Sequence, residues 1–307
     1  MGRLRLPAGL AITVAVCALA FQAPAAPAAP VTHTRLTFAL GKRLMAAGPQ
    51  GGGLHRIASA PRQIYDASAA ENGHRIALIT NQQVPFPGRG SVRTIYLYRP
   101  GHGLTRVRRL KTEGDTTIAM SHDGRRLAFG RDNQIWVMPA SGGKARQVTT
   151  GTGSNAFSPA FSSNDRSLIF SRATRNSPSV YRVPLSGGAG HRLTATGVDA
   201  ISQSVSTQGL VLFRQQRSGG PELLRVMKED GSGVRTVTRS DDPVFDLDPD
   251  FAPNGRSVAF VRLREVNGDR SPRRYAIRTV RTSGANEKTA IAHLSVRPRG
   301  LQWTRVP

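Results

Sequence analysis

An all-β ring of repeated four-stranded units is the fold class that this sequence predicts, and three observations predict it. A polar turn followed by an apolar strand recurs along the chain. Its copies are Asn72-Gly73 before Ile76-Ala77-Leu78, Asp123-Gly124 before Leu127-Ala128-Phe129, and Asn164-Asp165 before Leu168-Ile169-Phe170. Gln208-Gly209 before Leu210-Val211-Leu212-Phe213 and Asn254-Gly255 before Val258-Ala259-Phe260 complete the series. A second phrase follows: an aromatic or apolar strand, a tight turn, and a short strand ending near Thr. Ile135-Trp136-Val137 with Gly142-Gly143 and Val148-Thr149 shows it, and Val180-Tyr181-Arg182 with Gly187-Gly188 and Leu193-Thr194 repeats it. Aligned on Ile76, Leu127, Leu168, Leu210 and Val258, the copies lie 51, 41, 42 and 48 residues apart. That period, with four strands per unit, marks a β-propeller blade, which cannot bury both faces of its sheet alone and must stack on its neighbours.

The chain ends supply the count. Leu36-Thr37-Phe38 matches the apolar strand of the other copies, Leu44 to Gly52 mimics the strand-and-turn phrase, and Leu54-His55-Arg56-Ile57 gives an outer strand. This first unit lacks its innermost strand. Gly300-Leu301-Gln302-Trp303-Thr304 matches the innermost pattern of Ser158-Pro159-Ala160-Phe161 and Asp248-Pro249-Asp250-Phe251, with no unit after it. The expectation is therefore a six-bladed propeller of four-stranded antiparallel blades, closed by a blade that mixes residues 33–60 with 296–305. Closure removes unpaired sheet edges. Pro139 and Pro184 fall late in third strands, where a missing ladder donor is tolerated.

Ahead of the repeats, Arg3 and Arg5 precede the short apolar run Leu10 to Ala20, which ends Ala18-Leu19-Ala20. A secretory signal over residues 1–20 is expected, since the run is too short for a comfortable membrane span. Cys17 is the only cysteine, and Val16 stands where a lipoprotein anchor needs a small residue, so a soluble exported form is expected. Residues 21–32, alternating Pro with Ala, read as a semi-extended linker to a propeller over 33–307.

The formal charge is +24, or about +22 without Arg3 and Arg5, and nearly all of it is arginine. Arginine-rich codon usage accounts for such a bias as readily as a patch does. Charge of this size bears on solubility and on anionic partners rather than on fold. No recognition helix and no aromatics on a basic strand point to nucleic acid. A protein partner or an anionic envelope polymer suits an exported basic surface better, with the chain acting as a monomer.

Candidate chemistry is sparse. The histidines do not pair at ligand spacing, and Ser121-His122-Asp123 lists triad residues adjacently on a turn, where no relay forms. Asp246, Asp248 and Asp250 share a strand parity and so fall on one face beside the central channel. Oxygen donors of this kind suit Ca²⁺ or a cationic peptide end, but a hard cation takes six to eight oxygens, and caps or arginine pairs explain the acids equally well. The strand-start positions of the six blades are Asp66, Thr117, Ser158, Ser202, Asp248 and Gly300. Two acids and no histidine make a poor metal site, so no catalytic residue, metal or cofactor is expected beyond an optional Ca²⁺.

The residues above resemble the TolB-type, WD-like propeller family, whose motif runs Pro-x-Trp/Phe-Ser-Pro-Asp-Gly-Lys/Arg-x-Leu/Ile-Ala-Phe. Asp248 to Arg256 carries its first part, and Ile135-Trp136, Gly142-Gly143 and Val148-Thr149 its second. The resemblance implies an extracytoplasmic interaction scaffold. Neither the small α/β domain of TolB nor the hydrolase domain of oligopeptidase relatives is expected, and no Gly-x-Ser-x-Gly elbow is present. The expected function is non-catalytic binding in the cell envelope. The alternative is a lyase- or lactonase-type propeller with a channel-bound divalent metal. Docking is expected on the face of the second-to-third-strand loops, with Arg89, Arg175, Arg217 and Arg273 as a basic rim around Asp66, Asp246 and Asp248.

Overall fold

The computed structural model describes residues 33–83, 91–112, 116–151, 154–174, 177–216, 222–239, 244–264 and 274–307. The leader, the linker, Arg89, Arg175, Arg217 and Arg273 lie outside the described residues.

Six antiparallel sheets of four strands form the ring. Blade 1 is β4 (Ile64–Ala69), β5 (Ile76–Gln83), β6 (Ser91–Arg99) and β7 (Gly103–Thr112). Blade 2 is β8 (Ile118–Met120), β9 (Arg126–Arg131), β10 (Gln134–Pro139) and β11 (Arg146–Gln147). Blade 3 is β12 (Asn155–Phe161), β13 (Ser167–Thr174), β14 (Ser177–Pro184) and β15 (His191–Arg192). Blade 4 is β16 (Asp199–Val205), β17 (Leu210–Gln216), β18 (Leu223–Lys228) and β19 (Arg235–Thr236). Blade 5 is β20 (Val244–Phe251), β21 (Ser257–Arg264), β22 (Arg274–Arg281) and β23 (Lys288–Leu294).

Blade 6 joins the chain ends. Its order is β24 (Arg299–Arg305), β1 (Thr34–Leu40), β2 (Arg43–Ala47) and β3 (His55–Ser59), with the C-terminal strand innermost. The register sets Leu36 opposite Trp303 and Thr37 opposite Gln302. The Trp303 indole N–H donates to Thr34 Oγ1 at 3.0 Å, and the Arg305 amide donates to the Glu71 carbonyl of blade 1. Gly300 is required here. It sits at φ +55°, and a Cβ on it would lie 2.3 Å from the Ala67 nitrogen.

Burial follows the repeat. Phe38, Phe129, Phe170, Phe213 and Phe260, one on the second strand of five blades, are fully buried, and Leu78 is buried on the second strand of blade 1. Their rings fill the seams between blades, as in the cluster that joins Ala128 of blade 2 to Phe170 of blade 3. The polar turns close as the Asn/Asp-Gly pattern requires, with one departure. In blade 3, Asp165 holds the positive φ (55°) that glycine holds in the other turns. Its carboxylate accepts the His122 and Asp123 amides of blade 2 at 3.0 and 3.1 Å, which secures the two turns to each other. Within that blade-2 turn the Ser121 hydroxyl donates to Asp123, so these residues form a turn and no relay.

Candidate functional site

The six inner strands β4, β8, β12, β16, β20 and β24 enclose a channel of about 390 Å³. Backbone bulges interrupt five of them. The register slips at Ile64/Asp66, Phe157/Ala160, Ser202/Ser204 and Leu247/Asp250, and opposite Thr37/Ala39 on β24. Ser158, Asp248 and Gly300 take positive φ at these points. A bulge re-aims the side chains beyond it.

What the bulges aim is a belt of hydrogen bonds from each blade to the next. Ala69 N donates to Gln302 Oε1 across the blade 6–1 boundary at 3.0 Å. Ile118 N donates to Asp66 Oδ2 and Met120 N to Ser68 Oγ across the next boundary, each at 2.9 Å. Ser158 N reaches Thr117 Oγ1 at 3.0 Å, and Ser202 N reaches Ser171 Oγ at 2.8 Å. Asp250 closes the belt, accepting the Ser204 hydroxyl of blade 4 at 2.5 Å and the Trp303 amide of blade 6 at 2.8 Å. Every blade boundary is therefore bridged beside the channel. Each such bond contributes about 1 kcal/mol net, and leaving one of these donors unpaired costs more.

The acids separate accordingly. Asp246, Asp248 and Asp250 do not share one face, because the bulge between Leu247 and Asp250 breaks the period-two alternation. Asp246 stands opposite Arg262 and Asp250 opposite Ala259, which lie three residues apart on β21 and so face opposite ways. Asp246 is 1% exposed, held by Arg262 at 2.7 and 2.9 Å, and offers nothing to a partner at the mouth. Asp248 pairs with Arg297 at 3.1 Å. Asp66 accepts the Ala67 and Ile118 amides. Among the described residues, no three His, Cys, Asp or Glu side chains gather as a metal site.

Asp250 lines the channel. Burial pushes its carboxyl from 3.8 up to about 6, against the pull of the Ser204 hydroxyl and the Trp303 and Phe251 amides, with Glu71 adding to the rise. The sign follows from linkage: between pH 4 and 6 the native protein holds a proton that the unfolded chain releases, so this group weakens the fold as pH rises. The cost reaches at most about 3 kcal/mol above pH 6. Asp250→Asn keeps an acceptor for the Trp303 amide and cannot ionise. Urea unfolding should therefore show the variant gaining on the parent protein from pH 4.5 to pH 7.5. A pH-independent difference would refute this assignment.

At the strand-start mouth of the channel lie Tyr65, Asp248, Arg297 and Arg299. The Arg299 guanidinium sits 5.2 Å from the Tyr65 ring centroid and makes no hydrogen bond or ion pair among the described residues. Buried Arg93 lies 4.2 Å from the same ring. The mouth thus carries a guanidinium available to an anion, from a stretch whose sequence signals only ring closure.

Residues 103–297 match the TolB beta propeller domain, PD40. The chain belongs to that family. TolB from Acinetobacter baumannii shares its fold at TM-score 0.68 and 18% identity, over 88% of this chain and 66% of that one. A structure from Agrobacterium tumefaciens assigned to TolB matches at TM-score 0.62 and 16% identity, over 90% of this chain and 99% of that one. An oligogalacturonate lyase in complex with manganese matches at TM-score 0.54 and 15% identity, over 79% and 72%. At these identities the shared property is the propeller. No curated protein matches the chain in sequence. No helix among the described residues is long and apolar enough to cross a membrane.

Proposed function

We propose that this TolB-family propeller is a non-catalytic, extracytoplasmic binding scaffold whose channel mouth receives an acidic element of a protein partner. The observation that carries this reading is the Arg299 guanidinium stacked at the mouth with no ion pair among the described residues, next to channel acids already committed to backbone amides or arginine. Asp250 spends both oxygens on the inter-blade belt and Asp66 divides its own between that belt and the Ala67 amide, which suits a rigid rim and leaves few donors for a metal-dependent lyase. Export rests on the Arg-flanked leader and the family membership.

Capture from cell-envelope extract on the immobilised chain tests it. One discrete protein should be retained, released by high salt because exposed charges are screened over about 8 Å at physiological strength, and lost with Arg299→Ser. Release of unsaturated products from acidic oligosaccharides with added manganese would instead establish the enzyme reading.

A further inference from the structure

We propose that the outer strand of blade 1 is a docking edge for an extended acidic segment of a partner protein, a surface separate from the channel mouth. The outer strands of blades 2, 3 and 4 have two residues each, whereas β7 has ten. Among the described residues its main chain pairs only with β6, which leaves about 34 Å of strand edge open.

The register arranges its charges. Tyr98, Tyr96, Thr94 and Val92 alternate onto one face of β6, and their partners on β7 are Leu104, Arg106, Arg109 and Lys111. A bulge at Val107 makes this possible, because without it Arg106 and Arg109 would fall on opposite faces. Val107 packs on the other face toward blade 2, and Arg108 there donates to the Gly143 carbonyl at 2.9 Å. Arg106, Arg109 and Lys111 are exposed, and none makes a hydrogen bond or ion pair among the described residues. Some arginines elsewhere do find carboxylates: Arg214 has Glu222, Arg278 has Glu287 and Arg305 has Glu71. The second to fourth strands of blade 1 have none to offer, since the stretch 72–112 contains no Asp or Glu.

Three cations on one face at a two-residue pitch stand about 6.8 Å apart. A strand added to the β7 edge carries its own same-face side chains at that same pitch, so Asp or Glu at alternate positions would meet Arg106, Arg109 and Lys111 directly. Main-chain bonds would supply the docking and the cations the choice of an acidic sequence. A polysaccharide has no backbone amides to pair with the edge, which is why a peptide is the occupant this geometry favours.

The test uses the full chain and a synthetic peptide of alternating glutamate and valine. Binding should slow hydrogen exchange along β7. The variant with Arg106→Ser, Arg109→Ser and Lys111→Ser should lose about tenfold in affinity, as three cross-strand charge pairs imply. Replacing the same residues by Glu should transfer preference to a lysine–valine peptide, a gain that a misfolded variant cannot produce. Arg299→Ser should leave all of this unchanged. Peptide binding without slowed exchange on β7, equal binding by the serine variant, or binding of dextran sulfate in place of the peptide would each overturn the proposal.

Discussion

Deleting the chain from Val296 onward should lower the melting temperature by about 10 °C or more, or abolish cooperative unfolding. The segment removed contains β24, the inner strand of the closing blade. Leu301 is 1% exposed in the cluster that also holds Leu36 and Phe38, and Trp303 packs against the same cluster. Truncations of buried leucine and tryptophan cost about 2–5 kcal/mol each, so losing both exceeds about 5 kcal/mol. For a chain of this size each kcal/mol is worth about 2–4 °C. The deletion also strands the Ala69 amide and the Asp250 carboxylate, whose partners Gln302 and Trp303 are gone. Differential scanning calorimetry on the parent and truncated forms measures the effect. Equal melting curves would show that the ring does not depend on this strand.

Arg262→Met should destabilise the protein by about 3–5 kcal/mol, because it leaves Asp246 charged and buried with no cation. Arg262 grips Asp246 through two nitrogens and reaches Glu287 at 2.5 Å with a third, while Arg278 holds Glu287 at 2.6 Å. Burial draws the Arg262 guanidinium down, and the two carboxylates outweigh it and hold it above its usual range. Breaking one partner is costly, whereas replacing a buried pair with apolar residues is often close to neutral. Asp246→Leu combined with Arg262→Met should therefore recover most of the lost stability. Urea denaturation of the single and double variants gives the coupling. A single variant within about 1 kcal/mol of the parent would contradict the assignment of Asp246 as a buried partnered charge.

How far the sequence revealed this molecule depends on the range of the physics involved. The blades were legible because Asn72-Gly73, Asp123-Gly124 and Asn254-Gly255 set tight turns locally and the phenylalanines mark one position per repeat. The closing blade was legible because Gly300 to Thr304 repeats the inner-strand pattern out of place. Period two fails at a bulge, and nothing in Asp248-Pro249 alone says that the backbone will turn left-handed there, so the three acids were assigned to one face. The belt of serine, threonine, aspartate and glutamine acceptors was also hidden. Each bond joins residues about 30 to 230 positions apart, and small polar side chains carry no periodic mark. Arg299 carries no mark in the sequence for a related reason: what sets it apart is the lack of a counter-charge among the described residues, which only the fold can show.

The belt has a consequence for the molecule's history. The repeats look interchangeable in outline, yet each boundary is fastened by its own fitting: glutamine at one, threonine at another, serine on a second strand at a third, a single aspartate serving two. A blade transplanted to another position would present an acceptor at the wrong height, or none, to the amide waiting there. The ring has thereby ceased to be a string of exchangeable parts. It behaves as a sentence with fixed word order, in which single residues can drift but whole repeats can no longer be gained, dropped or shuffled without rewriting the neighbours on both sides.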